Sequence, residues 1–207
     1  MSNRRPPNRR HRPRHARYAA LALAVALLPI ASPPARAEAL SPQLQAIVTQ
    51  YVGPLVGDPA LIAAVRAQNA ETADYDEAGI AALDAHWKSE IGASEIPTIS
   101  KVWGNAVADQ LRAQVEASGG LIREVLLMDA RGLNVAVSHL TSDYWQGDED
   151  KYLETYPHGA GAVHLGPVEF DESSQVYMQQ LSMTVSDPQS GEPLGALTIG
   201  LDAERLP

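Results

Sequence analysis

The chain has 207 residues, 45% of them hydrophobic, no cysteine and a formal net charge of −9. That length suffices for a core without staples, and the missing cysteines exclude disulfides, thiol catalysis and a lipidated N-terminal cysteine. The acidic balance excludes nucleic acid and anionic lipid as partners, because phosphate binding depends on Lys and Arg displacing counterions.

The first segment reads as an export signal. Arg4, Arg5, Arg9, Arg10, Arg12, Arg14 and Arg17 precede an apolar run from Tyr18 to Ala31, and Ala35-Arg36-Ala37 supplies a small-x-small cleavage site. The run has 14 residues, against the roughly 20 that span a bilayer. Cleavage after Ala37 is expected, with a periplasmic product and no membrane insertion afterwards. Removing residues 1–37 takes away eight Arg and no acid. It leaves 8 basic against 25 acidic side chains, a formal net charge of −17.

Residues 38–120 read as the helical part of one domain. Ser41-Pro42 is a helix start, followed by Leu44, Ile47, Val48, Tyr51, Val52 and Leu55 on one face, with a break near Gly53-Pro54. Asp58-Pro59 starts a second helix that buries Leu61, Ile62 and Val65. A third begins near Asp76 and presents Ile80, Leu83 and Trp87. A fourth runs from Thr98 to Ser118 with Val102, Ala106, Val107, Leu111 and Val115 on one side, and ends at Gly119-Gly120.

Residues 121–207 read as the sheet of the same domain. Leu121–Met128 is an apolar strand, Asp129–Gly132 a turn, and Leu133, Val135 and Val137 alternate on a second strand. Residues 143–154 form a loop and a short helix. Strands follow at 163–170, 175–185 and 194–201, separated by the polar turns 171–174 and 187–193. Tight turns demand antiparallel pairing. The predicted class is α+β, with helices packed on one face of a five- to six-stranded antiparallel meander.

The hairpin Leu127-Met128-Asp129-Ala130-Arg131-Gly132-Leu133-Asn134-Val135-Ala136 resembles the paired strands of Cache domains, the PDC-like, PAS-related extracytoplasmic sensors. So does the order Gly166–Asp171, Ser182–Asp187 and Gly191–Gly200. The likeness covers residues 121–202. It implies a long N-terminal helix on a curved antiparallel sheet, and a small-molecule pocket between that sheet and the segment linking its two hairpins, here 141–149.

Amino-acid sensors of the family carry an Arg-x-Trp-Tyr group in that segment to clamp a carboxylate. In this chain Trp145 matches and Asp143 replaces the Arg. The ligand-binding residues that follow from the resemblance are Asp143, Tyr144, Trp145, Glu169, Asp171 and Tyr177. Carboxylates beside aromatic walls suit a cationic or amine-bearing ligand. Ligand would bridge the 143–149 loop to the strands at 163–185 and close the loop. With no transmitter module after residue 207, the expected partner is a separate membrane-bound sensor kinase, cyclase or chemoreceptor. A different reading is a ligand-free adaptor of an envelope signalling system, and a third is a hydrolase.

No catalytic group, cofactor or metal is called for. There is no Gly-x-Ser-x-Gly elbow, no His-Glu-x-x-His and no phosphate-cradling Gly-rich loop, and Ser138-His139 is mere adjacency. Asp148-Glu149-Asp150 lacks calcium-loop spacing and suits a helix N-terminus. His158 and His164 have no third ligand close by, and His86 sits on an exposed or boundary helix face. Nothing around Lys88, Lys101 or Lys151 marks a desolvated amine.

Overall fold

The computed structural model describes residues 40–171 and 175–206. The expected export segment and the turn 172–174 lie outside the described residues. Three of the helix starts form as read. Ser41 caps α1 (Pro42–Ile47) by accepting the Leu44 N–H at 3.2 Å. Asp58 caps α3 (Pro59–Thr72) by accepting from Ala60 and Leu61. Asp76 caps α4 (Glu77–Glu90) by accepting from Gly79 at 2.8 Å. Each cap satisfies a donor that the first helical turn leaves without a partner.

Two helix expectations are corrected. No break occurs at Gly53-Pro54: α1 continues through a π-helical turn, Val48–Val52, into α2 (Gly53–Val56). The wider winding, with the Gly53 N–H on the Val48 carbonyl, shifts the backbone that a proline ring ordinarily strikes. The fourth helix is two, α5 (Pro97–Trp103) and α6 (Ala106–Ala117). Asn105 stops one and starts the other, its Oδ1 accepting from Ala108 at 2.9 Å while its Nδ2 donates to the Val135 carbonyl at 3.0 Å. The interruption resets the helical phase, so Ala108 is buried and Ala106 exposed. At the other end of α5, the buried Glu90 carboxylate accepts from the Thr98 and Ile99 amides.

Five antiparallel strands follow: β1 (Ile122–Met128), β2 (Asn134–Val137), β3 (Val163–Asp171), β4 (Val176–Ser186) and β5 (Pro193–Asp202). The α+β class is as predicted, but the sheet is not a meander. Its order is β2-β1-β5-β4-β3, with β5 inserted beside β1. The hairpin β1–β2 and the run β3–β4–β5 are each made by local turns, and the β1–β5 ladder joins them. A crossover, which contains α7 (Asp150–Leu153), carries the chain from one edge of the sheet to the other.

Alternation along the strands gives the sheet two different faces. Val125 and Leu127 of β1, Leu197, Ile199 and Leu201 of β5, and Leu181 and Val185 of β4 pack with Leu61, Val65 and Leu111 from α3 and α6. Burial of each such side chain contributes about 1.5–3 kcal/mol. Among the described residues no single helix is long and apolar enough to cross a membrane.

The β1–β5 contact is close where Gly195 meets β1. A side chain there would overlap the Met128 carbonyl oxygen and approach Val65 Cγ1 to 3.1 Å. Gly195→Ala is expected to lower stability in urea denaturation by roughly 2 kcal/mol or more, as an overpacked site does. A loss below about 0.5 kcal/mol would contradict this packing.

Candidate functional site

The sheet face turned away from α3 and α6 carries a polar set. The ladder sets Glu124 of β1, Gly200 of β5 and Gln180 of β4 abreast, and beside them Leu126, Thr198, Ser182 and His164. Ser182 and Thr198 are fully buried, their hydroxyls 2.9 Å apart. The crossover lies over part of this face, where Tyr152 packs with Met128 and Ala196.

At the uncovered end is a half-open cleft of about 610 Å³. Glu124, His139, Leu140, Asp171, Met178 and the Gly119-Gly120 turn line it. A smaller hollow of about 170 Å³ adjoins it through Asp171 and Met178 and adds Glu169 and Gln180. Gly200 makes the room: a Cβ there would strike the Met178 sulfur and come within 2.6 Å of Glu124 Cγ.

Glu124 is the chemically distinctive group. Its Oε1 accepts from Gln180 Nε2 at 3.2 Å, and no ion pair reaches it among the described residues. Burial pushes its carboxyl above the ordinary value near 4.5; the charge of Asp171 adds to that, while Lys151, His139 and the Gln180 hydrogen bond oppose it. The fold therefore favours protonated Glu124. Its stabilising contribution is fully present below the ordinary glutamate range and is lost as pH rises through the raised value.

The six residues expected at the site do not converge. Glu169 and Asp171 reach the polar face. Tyr177 is placed on the other face: it stands opposite Phe170 in the β3–β4 ladder, and shares the side of Leu181 and Val185 by strand alternation. Its ring is half exposed and edge-on to Phe170 at 5.3 Å.

Asp143, Tyr144 and Trp145 meet α4 and the β1–β2 turn, and none of them lines the cleft. Asp84 Oδ1 accepts both the Tyr144 and Trp145 amides, at 2.9 and 3.1 Å. Tyr144 is buried and stacks on Trp87 at 5.3 Å, with the rings 8° from parallel. Trp145 Nε1 donates to the Arg131 carbonyl at 2.8 Å, and its indole lies against Gly147, where a Cβ would be 2.6 Å from Cε2. Asp143 pairs with Lys88 at 2.6 Å. Burial works to raise its pKa, but the hydrogen bonds from Lys88 and Ser142 hold it below the ordinary carboxylate value. These contacts hold the segment against α4 and the β1–β2 turn, away from the cleft.

Other candidates resolve locally. Lys151, read as an ordinary solvated lysine, is buried, donating to Gln146 Oε1 and pairing with Glu149 Oε2, both at 2.9 Å. Ser138 Oγ accepts the Val125 amide at 2.8 Å and lies 3.2 Å from His139 Nδ1, so its hydroxyl extends the strand edge. His86 is exposed and pairs with Glu90. Among the described residues no group of three or more His, Asp or Glu is arranged to hold a metal ion. Sequence reasoning passed over Glu124 inside an apolar strand. The available signal was its i+2 and i+4 relation to Leu126 and Met128, which puts a carboxylate on a sheet face.

No protein-family model and no curated protein matches the chain. Solved structures similar to it are sensory domains. The ligand-binding domain of the Campylobacter jejuni chemoreceptor Tlp3, in complex with 4-methylisoleucine, has 13% identity and a TM-score of 0.40 over 80% of this chain. The ligand-binding domain of the Pseudomonas aeruginosa amino acid chemoreceptor PctC, in complex with GABA, has 17% identity and a TM-score of 0.37; the match covers 62% of this chain and 57% of that one. The sensor domain of the V. cholerae histidine kinase DctB has 14% identity and a TM-score of 0.35, with 77% of this chain and 55% of that one covered. The match spans 62% of the length of the Tlp3 domain.

Proposed function

We propose that this chain is an exported sensory domain that binds a small cationic molecule, an amine, in the cleft at Glu124 and signals to a membrane-bound partner. The observation that carries the reading is a carboxylate in a cleft of small-molecule size with no ion pair on it among the described residues; Arg123, which also lines the cleft, is paired with Asp202. Asp171, Glu169 and Glu116 line the same two hollows and extend the negative field around it. Burying Glu124 as an anion costs free energy in the empty protein. An ammonium group offsets that cost by forming a charge-assisted hydrogen bond. Met178 and Leu140 supply apolar contact for the rest of the ligand. The export signal supports a periplasmic location, and the acidic mature surface attracts cations at long range.

Trp145 has a structural role in this scheme, so the ligand makes no cation–π contact with it. Isothermal titration with putrescine and methylamine, with succinate as the anionic control, tests the assignment. The amines are expected to bind and succinate is not. Glu124→Gln should weaken amine binding about 10- to 100-fold, the equivalent of a charged hydrogen bond of about 1.5–3 kcal/mol. Gly200→Ala should weaken it also, by pushing Met178 and Glu124 into the cleft.

Trp145→Ala, by contrast, should lower the melting temperature while leaving the dissociation constant within about twofold, because packing is lost away from the cleft. Unchanged affinity in Glu124→Gln would overturn the assignment. So would loss of affinity in a folded Trp145→Ala protein, which would return the pocket to the crossover.

A further inference from the structure

The β3–β4 hairpin has a second face that the ligand reading does not use. Val168, Phe170 and Tyr177 lie on the helix side of the sheet, yet are 51%, 48% and 52% exposed. The helix-packed core stops short of them, at Leu165 and Leu181. The register makes the three contiguous: Phe170 stands opposite Tyr177, and Val168 opposite Gln179, with the two rings in edge-to-face contact. β3 is also the terminal strand of the sheet, so its outer edge has no strand partner among the described residues. Pro167 and the bulge between Leu165 and Val168 bound the regular edge stretch on one side, leaving Val168–Phe170.

The two sides of that stretch differ in chemistry. Val168 and Phe170 point to one face and the exposed Glu169 to the other, in strict alternation. A strand added along this edge would set its own alternate side chains beside these. Apolar residues would meet Val168 and Phe170, and Lys or Arg would meet Glu169. A second copy of this chain is a poor occupant, because the strand it would bring carries Glu169 to the same side and the mature domain has a net charge of −17.

We infer that the free β3 edge is a docking site for an extended segment of a partner protein in which apolar and basic residues alternate. The apolar side chains of the proposal, Val168, Phe170 and Tyr177, lie on the opposite face of the hairpin from Glu124, whereas Glu169 lies on the Glu124 face and also lines the smaller hollow.

The test uses the purified protein and three fluorescent peptides in anisotropy titrations: Lys-Val-Lys-Ile-Lys-Val-Lys, its Glu-for-Lys analogue, and a block isomer of the first with all Lys together. The alternating basic peptide should bind at least tenfold more tightly than the other two. Phe170→Ser and Tyr177→Ser should each weaken it at least fivefold, while Ile91→Ser, at an exposed apolar position on the end of α4, should leave it unchanged. Glu169→Lys should reverse the preference toward the acidic analogue. Circular dichroism melts establish that each variant is folded, and half-exposed positions tolerate serine. Equal binding of the alternating and block peptides would overturn the proposal, leaving only charge attraction. Unchanged affinity in folded Phe170→Ser and Tyr177→Ser would overturn it also, as would sedimentation showing that the strip is covered by a second copy.

Discussion

The ladder between β1 and β5 connects the two local halves of the sheet, and everything about the candidate site follows from it. On one side it lays Val125 and Leu127 beside Leu197 and Ile199, which gives α3 and α6 a surface to bury. On the other it lays Glu124 beside Gly200 and Leu126 beside Thr198. Because alternation has a period of two, a slip of one residue would send Glu124 into the helix-packed core and expose the leucines. The apolar face thus fixes the position of the polar one. Gly195, held against the Met128 carbonyl, marks how closely the two strands approach.

The polar face is divided between support and chemistry. Its covered part is closed by the crossover, which the protein holds down with backbone contacts: Asp84 to two consecutive amides, Trp145 Nε1 to the Arg131 carbonyl, and Tyr152 Oη to the Ala130 carbonyl at 2.7 Å. Its open part keeps Glu124 in a cleft where, among the described residues, no ion pair reaches it. A carboxylate in that setting favours a proton or a cationic ligand, and the two compete. In the proposed reading, amine binding at this site would weaken as pH falls through the raised pKa of Glu124.

Much of the local structure was legible in the sequence. Ser41, Asp58 and Asp76 act as the caps that their chemistry announces, and all five strands lie where apolar alternation puts them. The strand order was not legible, because the β1–β5 contact joins residues distant in sequence and no local pattern encodes it. Helical periodicity carried the fourth helix through Asn105, whose cap interrupts it. The placement of the expected site residues was not legible for a related reason. The family likeness put Asp143, Tyr144 and Trp145 at the pocket, but in the fold Lys88 pairs with Asp143 and Lys151 donates to Gln146, contacts that no local pattern encodes. Tyr177 was grouped with Glu169 and Asp171 on the strength of the family likeness, and ladder register separates them. Glu124 looked like a minor interruption of an apolar strand until Gly200 and Gln180 were placed beside it.

The most direct measurement is a carbon-13 titration of the Glu124 side-chain carboxyl by nuclear magnetic resonance, with and without saturating putrescine. Alone, the resonance should titrate above the ordinary glutamate value near 4.5, since burial disfavours the anion. With the amine bound, the midpoint should fall, because the cation favours the charged form. An ordinary midpoint that putrescine does not move would contradict the account, and Glu124 would then be a solvated carboxylate with no ligand to hold.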